Sequence, residues 1–306
     1  MHRLRQEKGM ALLLVLALSA LLSALVVQIA FNSYVDLRLV ETFRDQTRAQ
    51  YIARGGIEVG RYLLNSDTNE YDGVTEPWAL GIPSYPVGDI GSVSIKIEAE
   101  DGKINLNGLV TASGNPNTVI VDRCERLFDI VGISNPQAQV DALIDWIDRD
   151  DETRPAGAEA GYYATQPGNI RCKNAPLDTL DELKVIAGFS AEDIDLLRPH
   201  VSVFGSDKIH LNSATPEVLY ALADEMDIDT ATLMAQQSRE RPYRTLEELQ
   251  QLPGWERFYW AINTKLKVTA AIYTIQSTAY VGSSPSRMEA VVDKDSSNEI
   301  LYVRIF

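Results

Sequence analysis

The stretch MALLLVLALSALLSALVVQIAF, residues 10–31, decides the architecture of this 306-residue chain. None of its residues is charged, and as a helix it would be about 33 Å long, close to the ~30 Å of a bilayer core. Arg3, Arg5 and Lys8 precede it, which favours a cytoplasmic N-terminus and places the chain beyond about residue 32 on the far side of an inner membrane. A cleaved signal peptide and a plain uncleaved anchor are the alternatives at this point.

The helical pattern continues after the apolar stretch. Apolar residues recur mostly at helical spacing through residues 32–65, which predicts one helix of about 55 residues beginning at Met10. The pair Gly55-Gly56 should weaken this helix slightly, because glycine is a poor helix former. Two separate helices are the alternative.

Both ends of the remaining chain predict β-strands. Apolar and polar residues alternate over residues 93–98, and the same character returns at 273–281, 286–293 and 300–306 between turn-forming breaks. Residues 66–91 hold three prolines and four glycines, so we expect a connector there. The sequence therefore predicts an α+β fold in which the long helix packs on a four-stranded antiparallel sheet, with residues 105–268 as a large inserted α-helical domain.

Helix starts are frequent in this insertion. Asn135-Pro136 and Thr215-Pro216 each combine an N-cap residue with proline in the first turn. A faint repeat, TLDEL from Thr179 and TLEEL from Thr245, offers two capping boxes. The surrounding sequence is similar to the helix-hairpin-helix (SAM-like) modules that bind DNA backbone, but the chain carries a net charge of −15, so we expect no nucleic acid partner.

An acidic segment, DALIDWIDRDDETRPAGAEAGYY at residues 141–163, is the clearest chemical feature. Hard carboxylate oxygens in a flexible loop suit calcium, although the spacing is not that of an EF-hand. A solvated acidic loop paired with Arg149 and Arg154 is the alternative. The candidate ligands that follow Asp141 are Asp145, Asp148, Asp150, Asp151, Glu152 and Glu159.

Catalytic signatures are missing from the sequence. HExxH, GxSxG and GxxxxGK[ST] do not occur, and the three histidines and two cysteines are too few and too scattered for a zinc site. The acidic loop could supply a general acid and base, but no His, Lys or Ser constellation accompanies it. We therefore expect a protein that is not an enzyme.

The N-terminus resembles the type IV prepilin leader. A short basic segment, MHRLRQEKG, ends in Gly9, and the apolar helix follows directly at Met10. The resemblance implies that a prepilin peptidase cuts between Gly9 and Met10 and that the new N-terminus is methylated. Most members of that family carry glutamate at the fifth mature position, which here is Leu14. Its absence is the hallmark of the minor pseudopilin K of type II secretion.

The resemblance to that family extends along the chain. DGKINLN at 101–107, DWIDRDDETRPAGAE at 145–159, NAPLDTLDELKVIAGF at 174–189 and IHLNSATPEVL at 209–219 appear in the family's order. The family binds calcium through the second of these segments, which implies Asp148, Asp150, Asp151 and Glu159 as ligands here, with Asp145 and Glu152 as further candidates. The family usually continues GAED, whereas Ala160 follows Glu159, so one ligand of the pattern is missing.

The resemblance also implies a function and a domain plan. The domains would be a leader (1–9), a transmembrane segment (10–31), a pilin-like head (32–104 and 269–306) and the insertion (105–268). Such a single-pass protein of the bacterial inner membrane, with a periplasmic C-terminal domain, would start assembly at the tip of the secretion pseudopilus. Its partners would be the I-type, J-type and major pseudopilins, and it would support protein export across the outer membrane. A minor tip pilin or adhesin of a type IV pilus, or a membrane-anchored periplasmic enzyme, would be the alternatives.

Cys124 and Cys172 lie 48 residues apart on either side of the acidic loop. In an oxidising periplasm we expect them to form a disulfide. Two unpaired thiols are the alternative.

Overall fold

The computed structural model describes residues 3–168, 170–296 and 298–306, with side chains from Met10 onward. Helix α1 spans Arg3–Ser66 without interruption, so the predicted single long helix is confirmed and the two-helix alternative is wrong. From Met10 to Ser66 it is long and apolar enough to cross a membrane, and its most apolar stretch is 0% buried within the protein. This helix is therefore compatible with a single-pass anchor.

The main sheet has five antiparallel strands in the order β1-β2-β7-β8-β9. The three C-terminal strands and the strand after residue 90 are confirmed. Two short parallel pairs, β3 with β4 and β5 with β6, lie outside it. The strands are β1 (Ile82–Val87), β2 (Gly91–Ala99), β3 (Ile104–Asn105), β4 (Val201–Ser202), β5 (Ile209–His210), β6 (Leu266–Lys267), β7 (Ile272–Val281), β8 (Ser284–Asp293) and β9 (Glu299–Ile305).

The fifth strand, β1, corrects the prediction of four. It lies within the segment expected to be a connector, and it contains Pro83 and Pro86. Proline cannot donate a ladder hydrogen bond, so it is tolerated only where no partner strand needs that donor. Strand β1 pairs with β2 alone and forms one edge of the sheet, which is why its prolines do not prevent the strand.

Two glycines bring α1 close to the sheet. A Cβ built on Gly56 would lie 2.1 Å from the Ser277 Oγ, and one on Gly60 would lie 2.6 Å from the Ile275 Cγ2. Both contacts are with β7, so only glycine allows this approach. The glycine pair that the sequence marked as a weak point is thus in part a packing contact. Ala53, Ile57 and Leu64 fill the same helix–sheet core.

The inserted domain builds a second core from residues between Ile104 and Leu266. Its helices Thr118–Ile130 and Pro136–Ile147 pack against each other, and the short helix Pro216–Tyr220 packs against both Thr118–Ile130 and Ile228–Glu240. The remaining α-helices of the chain are α2 (Pro77–Leu80), α3 (Thr118–Ile130), α4 (Pro136–Ile147), α5 (Ala160–Tyr163), α6 (Ala191–Leu197), α7 (Pro216–Tyr220), α8 (Ile228–Glu240) and α9 (Tyr259–Ile262). The 3₁₀ turns are Glu100–Gly102, Leu106–Leu109, Leu180–Lys184, Leu246–Gln251, Trp255–Arg257 and Asn263–Lys265.

The helix starts predicted in the insertion are confirmed. Asn135 and Thr215 occupy N-cap positions, each followed by proline in the first turn. Thr179 and Thr245 both form capping boxes. The elements that these two boxes open are short 3₁₀ turns, so the repeat marks two capped turns of similar form.

Candidate metal centre

The acidic loop leaves the C-terminus of α4 and returns at the N-terminus of α5. Asp148 is the C-cap of α4 and Glu159 the N-cap of α5, so the ends of two helices fix both backbones. Helix α4 is almost wholly buried, with Val140, Leu143 and Ile144 inside the core. The loop therefore begins at the end of a helix that is held firmly in the core of the inserted domain.

Three carboxylates of this loop converge. Asp148, Asp150 and Glu159 each present an oxygen atom, and these three atoms lie within 4.8 Å of one another. Asp148 is 5% exposed and Glu159 4% exposed, whereas Asp150 faces solvent. We call this group the loop cluster.

The two buried members of the loop cluster have oxygen atoms without a hydrogen-bond partner. These are the Asp148 Oδ1 and both Oε atoms of Glu159. Burying a carboxylate without a donor or a counter-charge is costly. A divalent cation would supply the missing partner, so the donor set fits a hard metal ion.

The electrostatics of the loop cluster point the same way. Burial raises the pKa of Asp148 to about 6, and the charges of Asp150 and Asp145 add to the effect. Burial likewise raises the pKa of Glu159 to about 7, with contributions from Asp145 and Asp148. In both cases the main cause is loss of solvation of the charged carboxylate, and repulsion from the neighbouring carboxylates adds to it.

Three predicted ligands lie outside the cluster. Asp151 is exposed, and its Oδ1 accepts a hydrogen bond of 3.4 Å from the Asn174 Nδ2. Glu152 is also exposed, and its backbone N–H donates to the Asp150 Oδ1 at 2.9 Å. Asp145 is fully buried beside the cluster, but its carboxylate accepts the Arg154 backbone N–H at 3.2 Å. The structure thus assembles Asp148, Asp150 and Glu159 and leaves these three in other roles.

Asp141 and Arg154 shape the loop, a role that the sequence did not reveal. The Arg154 Nε donates to the Asp141 Oδ1 at 2.6 Å, and the Ala156 backbone N–H donates to the Oδ2 at 3.3 Å. Gly157 is required by space, since a Cβ there would lie 2.0 Å from the Asp145 Oδ2. The spacing of one helical turn between Asp141 and Asp145 places both on one face of α4 and is the sequence signal that could have revealed this role.

The predicted disulfide is not formed, because Cys124 and Cys172, both within the described residues, are free thiols. Cys124 is fully buried in α3, and burial raises its pKa to about 12. Cys172 is partly buried, and its Sγ donates to the Asp145 backbone carbonyl at 3.3 Å. One thiol thus belongs to the hydrophobic core and the other lies beside the acidic loop.

A second group of carboxylates follows α1, which we also call the stem helix. Asp67, Asp72 and Glu76 form this group, and they too offer oxygen atoms within 4.8 Å of one another. We call it the stem-end cluster. Here the Lys294 Nζ lies 2.8 Å from Asp67 and 3.2 Å from Asp72. The Trp78 Nε1 donates to Glu76 at 3.0 Å. These carboxylates already have a cation and donors, so we assign no metal to them.

A cleft with a volume of about 710 Å³ lies between the sheet and the inserted domain. Of the groups that line it, Asp181 has its pKa lowered to about 2 by hydrogen bonds from Lys184 and Arg304. The loop cluster is not among its lining residues. The unpaired acidic groups and the cleft are therefore separate features.

Known proteins share both sequence and fold with this chain. Type II secretion system protein K of Pseudomonas aeruginosa is 26% identical over 231 residues, which cover 71% of this chain and 68% of that protein. The protein K of Aeromonas hydrophila is 23% identical and covers 98% of this chain and 97% of its own length. A chain in the crystal structure of the GspK-GspI-GspJ complex from enterotoxigenic Escherichia coli has the same fold, with a TM-score of 0.74 and 18% identity over 85% of this chain and 96% of that one.

Family models support the same assignment. Two models, both described as type II secretion system (T2SS), protein K, match residues 102–206 and 209–269. The first match includes the acidic loop and the whole loop cluster. Since the two matches together span more than half of the sequence, the chain belongs to the protein K family of the type II secretion system.

Proposed function

We propose that this chain is a structural minor pseudopilin at the tip of the type II secretion pseudopilus. There it starts assembly with the I-type and J-type minor pseudopilins, precedes the major pseudopilin, and supports export across the outer membrane. The solved complex of GspK with GspI and GspJ supports these two partners, because its matching chain has the fold of this one. The proposed role is mechanical, with no catalytic step.

The position of the inserted domain carries this proposal. Helix α1 packs on one face of the sheet, and the inserted domain contacts the other face. The Phe204 and Tyr302 rings lie 6.5 Å apart across that contact, and the Arg304 Nη1 donates to the Asp181 Oδ2 at 2.5 Å. A second core thus widens the head beyond the stem. A subunit of this width fits the end of a helical filament better than its shaft.

Membrane insertion and processing form part of the proposal. The basic residues before the apolar helix favour a cytoplasmic N-terminus and a periplasmic head. Prepilin peptidase would cut between Gly9 and Met10, and Met10 would be methylated. With Leu14 at the fifth mature position, the part of the helix that lies in the membrane carries no charge. This suits a subunit with no neighbour ahead of it, because a carboxylate there would have no partner.

We further propose that the loop cluster binds calcium. Asp148, Asp150 and Glu159 would hold the ion, and backbone carbonyls and water would complete its six to eight oxygen ligands. The unpaired buried oxygen atoms of Asp148 and Glu159 support this. A bound ion would tie the end of α4 to the start of α5 and so stiffen the inserted domain.

Immunogold labelling tests the tip position. An epitope tag in the exposed loop at Gly114, in cells that overproduce the major pseudopilin, should label one end of each pseudopilus. Label along the shaft would refute the proposal. Mass spectrometry of the mature chain should find a methylated Met10, and a retained leader in cells with active peptidase would refute the processing step.

Terbium luminescence tests the metal. Trp146 precedes Asp148 by two residues and is nearly buried, so it should transfer excitation energy to terbium in the loop cluster. Added calcium should quench this luminescence by displacing terbium, and magnesium should do so poorly because it prefers a tighter octahedral shell. Equal luminescence from wild type and Glu159→Gln would place terbium elsewhere and reject the site.

A further inference from the structure

The inserted domain meets the head, formed by α1 and the five-stranded sheet, at two separate places. We call the first place the joint, and its residues are Asp72, Asp101, His210 and Asn212. We call the second place the latch, and its residues are Asp181, Phe204, Tyr302 and Arg304. The cleft of about 710 Å³ lies between the two, since Asn212 lines it at the joint and Tyr302 and Arg304 line it at the latch.

The joint is buried and rich in hydrogen bonds. The Asp72 carbonyl accepts from the His210 Nε2 at 3.1 Å and from the Asn212 Nδ2 at 2.8 Å, and all three residues are at most 2% exposed. The Asp72 backbone N–H donates to the Val268 carbonyl at 2.8 Å, which ties the segment after α1 to the chain that leaves the inserted domain. Buried bonds of this kind are costly to break, because their polar groups would lose a partner away from water.

Asp101 fastens both chain crossings between the head and the inserted domain. It follows β2, where the chain enters the inserted domain. Its Oδ2 accepts the backbone N–H groups of Ala271 and Ile272, where the chain returns to the sheet, at 2.5 Å and 2.9 Å. The Lys267 Nζ lies 3.1 Å from the same oxygen atom. The two crossings are thus held at one place, which is the geometry of a pivot.

The latch is weaker and more exposed than the joint. The Arg304 Nη1 donates to the Asp181 Oδ2 at 2.5 Å, and the two side chains are 44% and 28% exposed. Among the described residues this is the one hydrogen bond between β9 and the inserted domain. The Phe204 and Tyr302 ring centres lie 6.5 Å apart, near the outer limit of an aromatic contact. Because partly exposed ion pairs contribute little, the latch holds the inserted domain only weakly.

Both charged members of the latch keep other contacts when their pair is broken. Within the inserted domain, the Lys184 Nζ lies 2.7 Å from the Asp181 Oδ1, and the Arg198 Nη2 lies 3.7 Å from it. Within the head, the Arg304 guanidinium lies 4.6 Å from the centre of the Phe306 ring, a cation–π contact. Opening the latch therefore leaves neither charge without a favourable neighbour.

The latch lies far enough from the joint to open by rotation. Arg304 is in register with Gln276 of β7 through Glu289 of β8. Gln276 lies three residues, about 10 Å, beyond Tyr273, whose hydroxyl donates to Asp72 of the joint. Strand β9 lies two strands, about 10 Å, to the side of β7. A small rotation about the joint thus separates the latch while the hydrogen bonds of the joint stay intact.

The closed position hides apolar side chains. Val291 of β8 is 5% exposed, although it lies in neither of the two cores, and it lines the cleft. Val203 lines the cleft from the inserted domain and is 6% exposed. Rotation of the inserted domain away from the sheet would expose both side chains together with the Tyr302 ring.

We propose that the inserted domain is a hinged lid on the sheet, which pivots at the joint and is held closed by the latch. Opening breaks the pair of Asp181 with Arg304 and uncovers the apolar surface of Val203, Val291 and Tyr302. The lid is a property of this chain alone, so its failure would leave the proposed function intact.

The distance between two spin labels tests the lid. Nitroxides attached to p-acetylphenylalanine at Glu192 of α6 and Tyr280 of β7, both exposed, report the separation of the two parts without using the free thiols. Pulsed electron resonance on the detergent-solubilised full chain should show a main distance and a minor, longer one. Arg304→Gln should raise the longer-distance fraction about threefold, because it removes a partly exposed ion pair and leaves the inserted domain itself unchanged. A single distance that is the same in wild type and Arg304→Gln would reject the lid.

Arg287→Gln is the matched control. Arg287 is exposed on the same sheet face, but its Nη2 donates to the Gln276 Oε1 at 3.2 Å, within the head, so this variant should leave the distances unchanged. Raising the salt from about 50 mM to about 1 M should increase the longer-distance fraction in wild type and change it little in Arg304→Gln, because salt screens a pair that only wild type has. Opening by Arg287→Gln, or an equal response of wild type and Arg304→Gln to salt, would show that the latch does not hold the lid.

Discussion

The loop cluster and the stem-end cluster contain the same chemistry in opposite environments. Each brings three carboxylate oxygens within 4.8 Å of one another. In the stem-end cluster Lys294 and several donors surround the carboxylates, and the pKa of Asp72 falls below its usual value. Burial opposes this, but the hydrogen bonds from Tyr273 and Ala270 and the charge of Lys294 outweigh it. In the loop cluster no such cation is present among the described residues, and the pKa values of its buried members rise.

The difference shows what a group of acidic residues can reveal. Proximity of carboxylates alone does not indicate a ligand, because the stem-end cluster has it too. The unpaired oxygen atoms of Asp148 and Glu159 are the distinguishing observation. One cluster has its cation in the polypeptide, and we propose that the other takes one from solution.

Removing the internal cation should have the largest effect. Lys294→Met leaves Asp67 and Asp72, which have side chains only 7% and 3% exposed, without a counter-charge. Breaking a buried pair in this way costs about 3–5 kcal/mol. Denaturant titration of the detergent-solubilised chain should measure this loss of unfolding free energy. Lys208→Met, at an exposed lysine, is the control and should change it little. Equal stability of the two variants would contradict the assigned role of Lys294.

Calcium should distinguish the clusters next. Excess calcium at a hundred times its Kd should stabilise the folded chain by about 2.7 kcal/mol. Glu159→Gln removes a charged ligand and should abolish most of the calcium-dependent rise in melting temperature. Glu76→Gln, the matched change in the stem-end cluster, should keep that rise even if it lowers the baseline. The comparison fails if both variants keep the rise or both lose it.

The sequence predicted the fold where local patterns decide it. Each of these patterns depends on residues only a few positions apart. They are the apolar stretch that ends at Phe31, the alternation in β7, and the capping residues Thr179 and Thr245. Strand β1 was missed because Pro83 and Pro86 are turn signals unless the strand lies at an edge, and edge position depends on the whole sheet. The close contact of Gly56 with the sheet could not be predicted either, because it depends on Ser277, which is far away in the sequence.

The sequence predicted which acidic residues lie in the loop of the candidate site, but not which of them converge. Asp148, Asp150 and Glu159 were among the candidates, but nothing local separates Asp150 from Asp151. The stem-end cluster was not foreseen, because Lys294 is 222 positions from Asp72. The cysteine pairing was wrong because spacing along the chain does not fix which way Cys124 points within α3.

A partly exposed carboxylate extends the comparison to a smaller effect. Asp181 accepts hydrogen bonds from Lys184 and Arg304, which lower its pKa to about 2. A lowered pKa stabilises the fold above the unfolded value of about 4, and that contribution is lost as the pH falls from 4 to 2. Asp181→Asn should cost less than about 1 kcal/mol at pH 7, because the pair is solvent-screened. Stability curves of wild type and variant should converge only below about pH 2, and a gap that persists there would contradict the ion-pair explanation.

The smallest expected effect is at Asp151, where sequence and structure disagree. The family pattern implies Asp151 as a ligand, yet its side chain is exposed and its carboxylate meets Asn174 outside the loop cluster. Asp151→Asn should therefore leave the calcium-dependent rise in melting temperature unchanged, whereas Asp150→Asn should reduce it. Calorimetric titration with calcium measures both variants in the same way.

Because the two residues are adjacent and equally charged, a general loss of negative charge in the loop would weaken calcium binding equally in both variants. A loss confined to Asp150→Asn would show that the ion is held by the oxygen atoms that converge with Asp148 and Glu159. A loss confined to Asp151→Asn would restore the ligand set that the sequence implied.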